Sequence, residues 1–287
     1  MLTVLTIRRF LSLKDCGLRS ILLKHYAFKI SYNGRFFHGS QVQKNVSTVQ
    51  EKLEEALSYM TSSQIKTYFA SRTDSGVHAY GNYVNISTDI PVPPERFYDL
   101  NRKMKYINIE KVFEVDENFS ARYSNYGKTY MYIIDNSPSK NPLESDFCWH
   151  IDKKLDIDEM KKACKYFVGE HDFVAFGRKK FKEENTIKKI TRCRLVTGSN
   201  KIYFFITGNG FLYNMIRIMI HSLHAVGRNK ISSNRIKDML ECGNKYNILG
   251  KAQPGGLYLV NIYYNKEMNL IRRKDEQQNI SSKKRRS

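Results

Sequence analysis

A single arginine sits inside the most apolar stretch of the chain. Phe211-Leu212-Tyr213-Asn214-Met215-Ile216-Arg217-Ile218-Met219-Ile220 holds one charge in ten residues, and the run predicts a helix apolar on nearly every side, hence a buried one. A guanidinium enclosed in such company without a partner costs several kcal/mol. The fold must therefore let Arg217 reach solvent along its own stem, or bring a carboxylate to it. The residues alone leave both open.

A second stretch carries the other candidate chemistry. Ala70-Ser71-Arg72-Thr73-Asp74-Ser75-Gly76-Val77-His78-Ala79 follows the strand-like Tyr68-Phe69, turns at Asp74-Ser75-Gly76 and runs into the alternating Tyr83-Val84-Asn85-Ile86. Arg72 and Asp74 stand two apart at a strand-to-turn junction, so they share a side if the chain stays extended that far. On its own, Asp-Ser-Gly is also compatible with an aspartate that caps its own turn beside a solvated arginine. The whole string, however, resembles the signature of the tRNA pseudouridine synthase A family, Gly-Arg-Thr-Asp-x-Gly-Val-His, with Ser71 where the family has its first glycine.

Further segments extend the resemblance over about residues 26 to 264. Phe36-Phe37-His38-Gly39-Ser40-Gln41 resembles an aromatic-x-Gly-Trp-Gln segment in which Ser40 replaces the tryptophan, leaving Phe36 or Phe37 to fill its volume. Phe119-Ser120-Ala121-Arg122-Tyr123-Ser124, the Lys-x-Tyr-x-Tyr of Lys128-Thr129-Tyr130-Met131-Tyr132, residues 167–176 and Pro254-Gly255-Gly256-Leu257-Tyr258-Leu259-Val260 are all family-like. The match is weakest around Leu100-Asn101, where an Asn-x-x-Leu-Pro segment is degraded.

The resemblance implies a reaction and a site. Uridine in tRNA is isomerised to pseudouridine: the N1–C1′ bond breaks, the uracil turns, and C5 bonds to C1′. Asp74 is the implied catalytic carboxylate, acting by attack on C1′, by addition to the ring or by removal of a sugar proton. Arg217 is implied to lie against it and keep it ionised and aimed. Tyr130 would lie on the uracil and act, directly or through water, in removing the C5 proton. Because a base in a stem is inaccessible, the nucleotide must flip out, and Arg72 is the candidate to occupy the vacated space. Leu212 would pack on the other face of the ring. Arg122 is a candidate phosphate ligand, a salt bridge to a core-edge carboxylate being the alternative. The implied fold is mixed α/β, two related halves whose mostly antiparallel sheets merge into a central sheet flanked by helices, with a basic cleft between them. The implied partners are the anticodon arm of tRNA, roughly at positions 38 to 40, and a second copy of the chain as a homodimer. No cofactor, small molecule or metal is implied.

Composition fits a polyanionic partner. The formal net charge is +20 with a sequence pI near 9.6, and the 19 Tyr and 16 Phe supply rings that stack on unpaired bases where they are not core. Cys16, Cys148, Cys164, Cys193 and Cys242 are scattered and odd in number, which argues for a reducing compartment and against a disulfide framework or zinc site. No apolar run approaches the roughly 20 residues that span a bilayer. The expectation is a cytoplasmic protein, although residues 1–24, basic and leucine-rich, also have the composition of an organellar transit peptide. Two rival readings are a tRNA-binding module without catalysis and a synthase acting on another tRNA position or RNA. A third, a metal-dependent nuclease, lacks clustered ligands.

Four segments are expected: a basic extension over 1–24, an N-terminal half over 25–125 carrying the aspartate, a C-terminal half over 126–265 completing the cleft, and a basic tail over 266–287. Within them the spacing predicts a strand over 26–32 and a helix over 48–60 opened by a Ser47/Gln50 capping box. It predicts a helix over 97–106, another opened by an Asp156/Glu159 box, a strand pair around 198–200, and a last helix capped by Ser232 or Ser233. His171-Asp172 reads as a structural turn, and His221 with His224 lacks a third metal ligand. The lysines and arginine between 177 and 189 form a candidate RNA-gripping arm.

Overall fold

The computed structural model describes residues 23–177, 185–242 and 250–265. The expected terminal extension and tail, and most of the basic arm (178–184), lie outside the described residues apart from their innermost positions.

Alternating burial decides the architecture. Strand β9 (Lys201–Gly208) reads half-buried, buried, half-buried, buried along its whole length, as a strand does when one face meets a core and the other does not. The same alternation runs through β1 (Lys24–Tyr32), β3 (His78–Thr88) and β5 (Asn125–Asp135), where Phe28, Ile30, Val84, Ile86, Tyr132 and Ile134 are all fully enclosed. Joined by β2 (Tyr68–Phe69), β4 (Ile107–Glu114), β6 (Trp149–His150), β7 (Gly169–Asp172), β8 (Ile187–Thr197) and β10 (Leu257–Tyr264), they make one mixed sheet. Its order is β4-β1-β3-β10-β5-β9-β8-β7, with β2 beside β3 and β6 beside β5. The three strands from the N-terminal half and the five from the C-terminal half each pair antiparallel internally. They meet where β3 and β10 run parallel through only two register pairs, Tyr258 with His78 and Leu259 with Ala79.

Helices α1 (Val49–Thr61), α2 (Ile157–Tyr166), α3 (Met215–Gly227) and α4 (Asn234–Cys242) contribute their apolar faces to the same cluster as the enclosed strand residues. Several predicted starts move. The capping box of α1 belongs to Thr48 and Glu51, not Ser47 and Gln50: the Thr48 hydroxyl accepts from the Glu51 amide at 3.3 Å, and the Thr48 amide donates to the Glu51 carboxylate at 3.4 Å. Gln50 instead donates to the Thr67 carbonyl, tying the helix to β2. Asp156 does cap α2, accepting from the Glu159 amide, but its own amide donates to the Gly227 carbonyl and the reciprocal bond is absent. Residues 97–106 do not form an α-helix: a 3-10 run covers Pro94–Arg102, and Asn101 then takes both the amide and the carbonyl of Ile109. Finally, α3 begins at Met215, because Asn214 sits at a φ of 60° and breaks the apolar run there.

The α1 cap is directly testable. Thr48→Ala should lower unfolding stability by about 1 kcal/mol in urea titration, while Ser47→Ala should stay within about 0.5 kcal/mol of the parent.

Candidate active site

Arg217 does not reach for solvent. Its side chain is 9% exposed, and three of its donors have targets: Nε donates to the Ala252 carbonyl at 2.8 Å, while Nη1 donates to Asp74 Oδ2 at 3.1 Å and to Asn214 Oδ1 at 3.3 Å. Ala252 also donates its amide to the Arg217 carbonyl. The acid comes from 143 residues earlier, across the seam between the halves. The pair is monodentate, and Asp74 Oδ1 accepts no hydrogen bond among the described residues, so one oxygen is anchored and the other is free. The side chain of Asp74 is 23% exposed, enough to meet a ligand.

The loop that presents Asp74 is held from both sides. Behind it, the Asp74 carbonyl accepts from the Val77 amide across a turn whose Gly76 has a φ of 78°, a left-handed position that a side chain would strain. In front, Ser40 grips Thr73 twice: its amide donates to the Thr73 carbonyl and its hydroxyl accepts from the Thr73 amide. Gly39 makes this approach possible, since a Cβ there would lie 2.9 Å from the Thr73 oxygen. Beneath, the fully buried Asn82 donates to the Ser71 carbonyl at 2.9 Å and to the Tyr32 hydroxyl at 3.2 Å, and Tyr32 meets the Thr73 hydroxyl at 2.8 Å. Thr73 therefore points inward, while Arg72 is exposed and carries no ion pair among the described residues.

Tyr130 is buried, its ring set edge-on to Phe211 at 5.3 Å and its hydroxyl 2.8 Å from that of Ser71. Burial pushes its pKa up, with the Ser71 hydrogen bond acting weakly the other way. Leu212 is buried too, packed so closely on Gly177 that a Cβ there would lie 2.5 Å away. Its neighbour Phe211 is the residue set edge-on against the Tyr130 ring. Arg122 is exposed, lies over the ring of Tyr123 and pairs with no carboxylate among the described residues. Phe37 is enclosed at 6% exposure, whereas Phe36 stacks on Tyr106 at the surface, so Phe37 is the ring that occupies core space near Ser40.

The histidine that closes the motif had been given no role by its sequence context. His78 is buried and stacked on Tyr258; Nδ1 accepts from the Gly34 amide at 3.1 Å, which leaves Nε2 to carry the proton and donate to the Asp146 carbonyl at 3.0 Å. One neutral ring thus bolts together three distant segments, and an Arg35–Asp146 ion pair reinforces the same corner. His171 and Asp172, expected in a turn, lie instead at the end of β7 opposite Lys188 and Ile187 of β8, and their side chains bond to the nearby backbone of Val168 and Val174. His221 and His224 flank Trp149 on α3.

Comparison with known proteins places this geometry. A family model described as tRNA pseudouridine synthase matches residues 163–265. The tRNA pseudouridine synthase A 2 of Clostridium perfringens is 38% identical over 244 residues, 84% of this chain and 100% of that one. The tRNA pseudouridine synthase A proteins of Acetivibrio thermocellus and Ruminiclostridium cellulolyticum are 40% and 41% identical, each over 82% of this chain and 97% of theirs. Among solved structures, a chain of a Cbf5-Nop10-Gar1 complex aligns over 70% of this chain and 44% of its own with a TM-score of 0.34 and 11% identity, too loose a superposition to bear on the site.

The His78 corner predicts an acid sensitivity. Burial lowers the pKa of this histidine, so its contribution to stability is complete above the unfolded value of about 6.5 and is lost as pH falls below it. The urea midpoint should drop between about pH 7 and pH 5. His78→Gln should show a smaller drop, the remainder coming from His221 and His224, whose pKa values burial also lowers, that of His224 to about 4.

Proposed function

The chain belongs to the tRNA pseudouridine synthase A family, whose members are isomerases, and from that premise we propose that it converts uridine to pseudouridine in the anticodon arm of tRNA, roughly at positions 38 to 40, with Asp74 as the acting carboxylate. The observation that carries the reading is the Asp74–Arg217 pair: an acid delivered by one half of the molecule, aimed by a guanidinium fixed in the other, with one oxygen left free.

Isomerisation needs little beyond this. The N1–C1′ bond breaks, N1 gains a proton, C5 bonds to C1′ and loses one, so nothing is oxidised and no group is gained. Attack on C1′, addition to the ring and removal of a sugar proton all require one unengaged carboxylate oxygen within reach of the nucleotide, and Oδ1 is that oxygen. Arg217, with Nε anchored on Ala252 and Nη1 shared with Asn214, holds Oδ2 without swinging, and a charge-assisted bond of this kind fixes direction as well as charge. Tyr130 lies against the uracil. Burial keeps its phenol protonated near neutral pH, which favours loss of the C5 proton to water over a phenolate base. The uridine reaches Asp74 by flipping from its stem, and Arg72, exposed and unpaired beside the carboxylate, enters the space it leaves.

The working form is a homodimer that grips tRNA across two subunits. Its support is the face of β8, β9 and β5 away from the core, where Val196, Tyr203 and Ile133, and beside them Phe205 and Met131, are cross-strand partners, with Arg194 laid over the Phe205 ring. The core covers the opposite face, and Val196 is 42% exposed. An apolar sheet face of this extent is suited to burial against a like surface.

Two outcomes are expected. Asp74→Asn should bind tRNA with affinity close to the parent but release tritium from 5-tritiated uridine tRNA about a thousandfold more slowly or worse; unchanged release would remove Asp74 from the reaction, and carbodiimide mapping of the product would locate the modified uridines. In sedimentation the parent should run near twice its chain mass of 33.6 kDa, and Phe205→Glu should run as a monomer.

A further inference from the structure

Lys128 has no place in the reaction as described, yet its surroundings are those of an occupied site. It stands two residues from Tyr130 on β5, on the same face of the strand. Its half-buried ammonium donates one hydrogen bond, to the Ala70 carbonyl at 2.9 Å, immediately before Ser71 and Arg72. Among the described residues, two of its three donor directions have no protein acceptor and no carboxylate pairs with it. The charged group that acts on it is another cation, Arg122, in the turn that leads into β5, whose guanidinium lies over the Tyr123 ring and has no acid partner among the described residues. Across β5, the flanking positions are Gly208 on β9 and Ile262 on β10, neither of which carries charge. Two cations close enough to repel each other beside Tyr130 and the Arg72–Asp74 loop are unfavourable in the free protein and become favourable when an anion bridges them.

We propose that Lys128 and Arg122 together form a phosphodiester-binding subsite that holds the RNA backbone next to the everted nucleotide, Lys128 being anchored on the Ala70 carbonyl so that phosphate binding and the position of the Arg72–Asp74 loop are coupled. The proposal rests on the tRNA reading above and adds to it a place and a charge requirement.

It also makes binding depend on pH. Desolvation first, and Arg122 second, lower the pKa of Lys128 to about 8. A bound phosphate restores an opposite charge and raises it again. Affinity is therefore complete below pH 8 and falls as pH rises through that value, by at most tenfold per pH unit for a single linked proton.

The experiment measures the dissociation constant of full-length protein for an unmodified tRNA transcript between pH 6.5 and 9.0, and its salt dependence at pH 7.0, alongside pseudouridine formation. The parent should weaken above pH 8. Lys128→Met should bind about tenfold more weakly at pH 7.0, lose the bend, and show a salt slope smaller by about one. Arg122→Gln should keep a bend, displaced to higher pH because the repulsion on Lys128 is gone. If Lys128→Met keeps the parental bend and slope and changes only thermal stability, Lys128 is a strut for Ala70 and the subsite is wrong. A parent that forms pseudouridine without any bend also overturns the subsite while leaving the isomerase reading intact. A parent that shows the Lys128-dependent bend but forms no pseudouridine supports the subsite and defeats the isomerase reading.

Discussion

One ion pair sets the terms for the rest of the molecule. Burying a guanidinium and a carboxylate removes two charges from water, and their attraction alone does not repay that loss. Here neutral partners offset part of the loss: the Ala252 carbonyl accepts from Nε and the Asn214 amide oxygen from Nη1, and Asp74 keeps partial contact with solvent. Such a pair is poor evidence for stability. A hydrophobic residue at 217 would suit the apolar helix better, so the arginine is explained by its contact with Asp74 rather than by stability.

Accuracy at Asp74 comes from polar groups behind it more than from packing. The loop is bonded at the residue before the acid through Ser40, Tyr32 and, by way of Ser71, Asn82, and after it through Val77. Two of these contacts come from residues that depart from the family pattern. Ser40 stands where a tryptophan is usual and Ser71 where a glycine is usual, yet both are buried and both bond directly to the loop or to Tyr130. The departures converge on one network. A hydroxyl at 40 needs less room than an indole, and the enclosed Phe37 is the neighbouring ring that takes up core volume there.

What could be read from the sequence follows the range of the signal. Period-two and period-3.6 patterns report on local faces, so the strands around residues 26–32 and 198–200 and the helix beginning near 48 were legible, to within a residue at the cap. The residues at 211–220 posed a choice for Arg217, solvent or a carboxylate, and only the motif resemblance pointed to Asp74 as its partner. Long-range polar contacts were not legible. Nothing in the spacing of His78, Gly34 and Asp146 says that one imidazole joins them, and nothing marks Asn82 among the alternating residues of β3. The apolar run 211–220 misled because a left-handed Asn214 costs little to an asparagine and is invisible to hydrophobic periodicity. Thr48 lost to Ser47 for a related reason: adjacent hydroxyl residues compete for one cap, and tertiary placement of Gln50 against Thr67 decides between them.

The shortest ladder along the path of eight strands is also where the candidate site lies. β3 and β10 share two register pairs, so the backbone ladder alone holds the halves together loosely just where an acid from one must meet a guanidinium from the other. The halves are secured instead by side chains around that point: His78 bonded to Asp146 and stacked on Tyr258, Arg35 paired with Asp146, and Lys128 bonded to Ala70. A short parallel join bolted by side chains on either side limits how far the Asp74 carboxylate can drift from Arg217, while the 23% exposure of the Asp74 side chain keeps its second oxygen within reach of solvent.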